Sequence, residues 1–333
     1  MDVLKNIVSD IKQKKLKPVY LLMGEEPYYI DKISDFIATN VLTEEERGFN
    51  QMVLYGKETS VDEIVSNAKR FPMMAEYQVL IVKEAQELSR TIENITSYVE
   101  NPQETTVLVI CYKYKKIDKR KKLYKSVQKH GVLFESRKLY DNQVADWIKK
   151  TLLGKQYQIS TKASALLVEF LGADLSRINN ELEKLFLVIP KETEITPEHI
   201  EKHIGISKDY NNFELKKAIG ERNITKATKI INYFSQNPKD NPFVLTVALL
   251  YSFFTQLLKY HGLSDLSPKN IASTLGVNPY FVNEYQIAAK NYPMKKVSMV
   301  ISDLRELDLK SKGVNAQNMS HQDLLKELLI KIM

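Results

Sequence analysis

The sequence is short of the residues that interrupt regular structure. Among 333 residues there are only 11 glycines and 11 prolines, so long elements, chiefly helices, are expected to dominate. A single cysteine, Cys111, excludes an intrachain disulfide and any zinc cluster built on thiolates. Such usage fits a reducing, cytoplasmic setting. The five histidines are scattered, and only His199 and His203 share a predicted helix face. Glu198 and Glu201 do not complete a zinc-protease pattern around that pair and no third ligand is evident, so no metal is expected. A Gly-x-Ser-x-Gly nucleophile elbow is also missing. The opening residues Met1-Asp2-Val3-Leu4-Lys5 lead into an amphipathic, charged segment rather than a secretory signal. The most apolar stretch, Phe243–Leu258, is short for a membrane span and carries Thr246, Ser252, Thr255 and Gln256. A buried helix is the expected outcome, with no membrane partner.

What is present is a globular composition, 44% apolar and 27% charged, long enough for two or three domains. A net charge of +7 and a pI near 9.0 favour an acidic partner, nucleic acid first. In the first 140 residues, apolar β-branched runs at Pro18–Gly24, Met52–Gly56, Gln78–Val82, Thr105–Cys111 and Val132–Phe134 alternate with helical patterns. The helical patterns are Tyr29–Val41, Val61–Arg70, Ile92–Glu100 and Lys119–His130. This alternation predicts a mostly parallel sheet covered on both faces. Beyond residue 140 the strand patterns stop. Asp141 is expected to cap a helix to Leu153, Ser160 to cap Thr161–Leu171, and Thr196-Pro197 to open another. Asn241-Pro242 opens a segment apolar nearly all round, which must be surrounded by other helices. The fold class is therefore α/β plus all-α, with an α/β domain over 1–140, a small helical domain over 141–209 and a larger helical domain over 210–333.

Ligands of a parallel α/β sheet bind beyond the carboxyl ends of its strands. There the first strand continues as Met23-Gly24-Glu25-Glu26-Pro27-Tyr28. A phosphate-binding loop needs a second glycine, a lysine and a Ser or Thr at this point, and all three are missing. Glu25 and Glu26 would repel a triphosphate. After the third strand only Glu84 stands where a hydrolase places an acidic pair for metal, and Lys83 brings a positive charge there. No ATP hydrolysis and no cofactor are expected.

Two features could bind partners. Pro72 disfavours helix at Phe71, and Met73 and Met74 follow where a connection should lie on the surface. Phe71 and both methionines either tuck into the core or protrude as an apolar plug. The second feature is the run Lys113, Lys115, Lys116, Lys119, Arg120, Lys121, Lys122 and Lys125, opposed only by Asp118. It could meet DNA phosphates or a neighbouring acidic subunit, or be a solvated helix face.

Several stretches together resemble a known family. They are Lys17 through Tyr28, Phe71-Pro72-Met73-Met74 with Tyr77 through Val82, and Asp118 through Lys125. Leu171 through Leu175 with Asn180 through Leu185, and Leu304 through Asp308 with Lys310 through Gly313, follow in order. The family is the delta subunit of bacterial DNA polymerase III, a clamp-loader component. The resemblance implies an AAA+ module, made of the sheet domain and a helical lid, followed by a helical collar that joins a ring. It implies hetero-oligomeric partners: ATP-hydrolysing clamp-loader subunits, the delta-prime subunit, the sliding clamp and primed DNA. It also implies that Met73 and Met74, supported by Phe71 and Pro72, enter a pocket on the clamp and favour its open state. An aromatic residue is common at the second of those positions, where this chain has Met74. By resemblance the chain belongs with a DNA-directed DNA polymerase holoenzyme, a nucleotidyltransferase, while having no catalysis of its own. A divergent P-loop-like ATPase and a nucleic-acid-binding scaffold stand as the alternatives.

Overall fold

The computed structural model describes residues 2–314 and 319–333. The chain divides into two compact units between Leu139 and Tyr140. In the first unit the order is α1 (Asp2–Lys12), β1 (Val19–Gly24), α2 (Pro27–Asn40), α3 (Glu44–Asn50) and β2 (Gln51–Tyr55). It continues with α4 (Val61–Ala68), β3 (Gln78–Lys83), α5 (Thr96–Glu100), β4 (Thr106–Lys113), α6 (Lys122–His130) and β5 (Val132–Ser136). The five strands lie in the order β2-β3-β4-β1-β5, and all pairings are parallel. Parallel neighbours need crossovers, and the helices between the strands supply them.

Strand periodicity explains the two cores. Tyr20, Leu22, Ile81, Val109 and Cys111 face α1 and α2, where Ile7, Ile11, Ile30, Ile33 and Ile37 meet them. Leu21, Met23, Leu80, Val82 and Ile110 face the opposite way, against Ile64, Leu123 and Val127. Burial on both sides is what the unbroken apolar runs require. Cys111 is fully buried, and burial pushes its thiol up to about 12, which leaves it inert. The predicted helix over 92–100 is a 3-10 turn, Ile92–Ile95, followed by α5. Helix α3 carries no apolar stripe; its start is set by a capping box between Thr43 and Glu46.

The second unit holds α7 (Asp141–Leu153), β6 (Gln158–Ile159), α8 (Thr161–Leu171), α9 (Leu175–Val188), β7 (Glu194–Ile195) and α10 (Pro197–Ile204). Then follow α11 (Asn212–Gly220), α12 (Ile224–Gln236), α13 (Phe243–His261), α14 (Pro268–Leu275), α15 (Val282–Asn291), α16 (Met294–Ser311) and α17 (His321–Ile332). Strands do not stop at residue 140, contrary to the sequence expectation: β6 and β7 pair in parallel through Ile159 and Ile195. Two-residue strands carry no period for a sequence to reveal. Tyr140, not Asp141, holds the cap position of α7, and its N–H donates to Gln143 Oε1 at 3.0 Å. Ser160 caps α8 as expected, accepting from the Ala163 N–H at 3.2 Å.

Helix α13 is long and apolar enough to cross a membrane by length and composition alone. Phe243, Val247, Leu250, Phe253, Phe254 and Leu257 instead enter the core shared by the helices from α11 to α17. The expected all-round cover is incomplete, because Val244 and Leu245 remain exposed on one side.

Candidate functional site

The connection between α4 and β3 leaves three large apolar side chains in solvent. Phe71 is 75% exposed, Met73 63% and Met74 fully exposed. Of the two sequence readings, the protruding one describes the structure. The loop is nevertheless fixed. Its first carbonyls are gripped from the sheet: Gln78 Nε2 donates to Arg70 O at 2.5 Å and Thr106 Oγ1 to Ala68 O at 2.8 Å. The Tyr98 hydroxyl donates to Ala68 O as well, at 3.2 Å. At its tip the buried Asn50 closes a two-way amide pair with Met73. The Met73 N–H donates to Asn50 Oδ1 at 2.6 Å, and Asn50 Nδ2 donates to Met73 O at 2.9 Å. Residue 74 then takes φ 53°, the left-handed region that a side chain normally avoids at a cost of about 1 kcal/mol. A backbone held this way presents Met73 and Met74 outward without letting the chain collapse over them. Asn50 and Gln78 were not legible as loop anchors, since the Asn50 partner lies 23 residues away.

At the carboxyl end of β1, three N–H groups of the loop that a phosphate would need are already engaged. The Gly24 N–H donates to Lys115 O at 3.1 Å and the Glu25 N–H to Ser136 O at 3.2 Å. The Tyr28 N–H donates to Glu26 Oε1 at 3.0 Å, with Glu26 itself buried. Gly24 has φ 136°, and a Cβ there would lie 2.0 Å from Ser136 O, so glycine serves close packing of the loop on β5.

Beside this loop, Lys113 Nζ sits 2.8 Å from Asp31 Oδ1 and 3.0 Å from Glu84 Oε1. Glu84 also accepts from Gln86 Nε2, and Gln86 Oε1 accepts the Lys113 N–H at 3.1 Å. Burial alone would lower the Lys113 ammonium, but hydrogen bonds to Asp31 and Glu84, with their charge, outweigh it and hold it raised. Burial likewise favours neutral Glu84, and its bonds from Gln86 and Lys113 reverse that, leaving it lowered. The charge that neutralises Glu84 is thus Lys113 and not Lys83, which turns to Asp35 at 3.5 Å.

This corrects the basic run. Lys113 is buried and cannot reach a partner with the other seven residues. Lys116 pairs with Glu25 and Glu135, Lys119 with Glu135, Lys121 with Glu93 and Lys122 with Glu100. The Arg120 guanidinium is bonded to Asp118, whose carboxyl it holds down at about 2. Lys115 and Lys125 are exposed with no ion pair among the described residues. His199 Nδ1 accepts the Thr196 N–H at 3.1 Å, a helix cap, and the described residues hold no group of three possible metal ligands.

Known proteins match this architecture from end to end. The family model for the DNA polymerase III delta subunit matches residues 20–137, and the model for that subunit's C-terminal domain matches residues 209–331. The chain belongs to the DNA polymerase III delta subunit family. The DNA polymerase III subunit delta of Bacillus subtilis (strain 168) is 28% identical over 318 residues, spanning 92% of this chain and 91% of that relative. The solved structure of the Bacillus subtilis DNA clamp loader delta protein covers 99% of both chains at 26% identity, with a TM-score of 0.56. This delta-family chain is a clamp-loader subunit of DNA replication, and its parallel five-stranded sheet followed by a helical region is the α/β plus all-α class that its sequence predicts.

Proposed function

We propose that this delta subunit grips the sliding clamp through Met73 and Met74, with Phe71 and Pro72 beside them, and favours the open form of the clamp. The observation that carries this is the rigid presentation of bare apolar side chains on a loop tied down by Asn50. A preorganised backbone spares the loop its own ordering cost when a pocket covers these side chains. Two methionines fully desolvated contribute roughly 3–6 kcal/mol gross. A ligand shifts a ring between closed and open only by its preference for one state, and a contribution of that size is sufficient. In a pull-down against the sliding clamp, raising salt from about 0.1 M to about 1 M should leave most binding intact, because screening removes charge contacts but not apolar burial. Loss of binding over that range would place the contact on the charged surface instead.

The same reading assigns the chain no ATP hydrolysis of its own. Engagement of the Gly24, Glu25 and Tyr28 N–H groups, and of Glu84 by Lys113, supports it. Purified chain should turn over no ATP above contaminant controls, and measurable turnover that co-purifies with the chain would overturn the assignment. Energy for the cycle then comes from ATP-hydrolysing clamp-loader subunits in a ring that also contains delta-prime and receives primed DNA. We further divide the helical unit into a lid over 141–209 and a collar over 210–333, the collar providing the ring contacts. Lys115 and Lys125 are the basic-run residues left for an acidic partner. A bacterial cytoplasmic location accompanies this role.

A further inference from the structure

Phe49 is 78% exposed, more than Phe71 or Met73, yet it occupies the last turn of α3, where a phenyl ring has no structural task. Its neighbour Asn50 is the residue that holds Met73 by two hydrogen bonds. Consecutive Cα atoms are about 3.8 Å apart, so the backbone of Phe49 lies next to the residue that ties down the tip of the α4–β3 loop. Strand geometry brings the same two segments together. Gln51 opens β2 opposite Val79 in β3, so α3 and the apolar loop reach the same end of adjacent parallel strands. Neighbouring strands lie about 4.8 Å apart. Charged and exposed Lys69, Arg70 and Glu76 flank the loop, which gives an apolar centre with a polar rim.

We infer that Phe49 is a third apolar anchor for the sliding clamp, and that the clamp surface facing it carries an apolar depression next to the one filled by Met73 and Met74. This rests on the reading of that loop as the clamp contact. Asn50 then couples the two parts: its backbone follows Phe49, and its side chain fixes Met73. A rigid aromatic at the edge of two flexible methionines supplies the low-entropy contact area that methionine lacks.

The test is clamp affinity measured by calorimetry with the full chain and purified clamp, for Phe49→Ala, Phe49→Asp, Phe49→Leu and the Met73→Ala/Met74→Ala pair. Phe49→Ala should weaken binding roughly tenfold, the usual scale for an interface anchor. Phe49→Asp should weaken it at least as much, and Phe49→Leu should stay within about threefold of the parent. Urea midpoints of all three should match the parent, since the ring is in solvent. Parental affinity in both Phe49→Ala and Phe49→Asp, with the methionine pair weakened, would overturn the role of Phe49 while leaving the loop assignment standing. Parental affinity in the methionine pair would overturn the loop assignment and this inference with it.

Discussion

Replacing Met73 and Met74 together by alanine should weaken clamp binding about a hundredfold or more while ring assembly with the other clamp-loader subunits proceeds normally. The estimate follows from area. Each methionine that goes from solvent to a closed pocket contributes about 1.5–3 kcal/mol, and alanine retains little of it. A loss of about 3 kcal/mol from two positions is a little over a hundredfold in the dissociation constant. Stability should hardly move, because both side chains are exposed and their removal leaves no cavity. Asn50 bonds the backbone of Met73, so the loop geometry survives the substitution. Size-exclusion of the reconstituted ring and calorimetry against the clamp separate the two readouts. Retained affinity would place the contact elsewhere.

The sheet was readable because burial on both faces writes itself as continuous apolar runs. Gln78–Lys83 and Thr106–Lys113 are such strands, and their limits shifted from expectation by only a few residues. The α3 helix escaped because it is seven residues long, acidic at its start and ends in an exposed phenylalanine. Its signal was the capping box at Thr43 and Glu46, a local pattern with no apolar period behind it. At the site, sequence could name Met73 and Met74 as misplaced apolar residues but could not decide between core and surface. That decision is made by Asn50, whose partner Met73 lies 23 residues away, and by Gln78, which holds Arg70 O from the start of β3. The basic run shows the opposite failure. Eight positive residues look like one patch, but a sequence window cannot see Glu25, Glu93, Glu100 and Glu135 arriving from other elements to pair with Lys116, Lys119, Lys121 and Lys122.

Exposed pairs of that kind contribute little, generally under about 1 kcal/mol, and screen away with salt. Lys113 differs because its side chain is only 11% exposed and faces two carboxylates. Lys113→Met should therefore destabilise the α/β unit by about 2–3 kcal/mol. This is below the usual cost of breaking a fully buried pair, because Asp31 and Glu84 each keep about a third of their surface in water. The pH dependence gives the loss a signature. Glu84 is lowered in the folded chain, so its contribution is present above the unfolded value of about 4.3 and fades as pH falls through the folded one. Lys113 is raised, so its contribution is complete below about 10.4 and is lost only as pH climbs through the higher folded value. The stability gap between parent and Lys113→Met, read from urea midpoints, should be flat across neutral pH and shrink below about pH 4. No gap at pH 7 would mean that the ion cluster does not hold this end of the sheet. The variant should gain no ATP turnover, because removing the lysine frees Glu84 but leaves the Gly24, Glu25 and Tyr28 N–H groups bonded inside the protein.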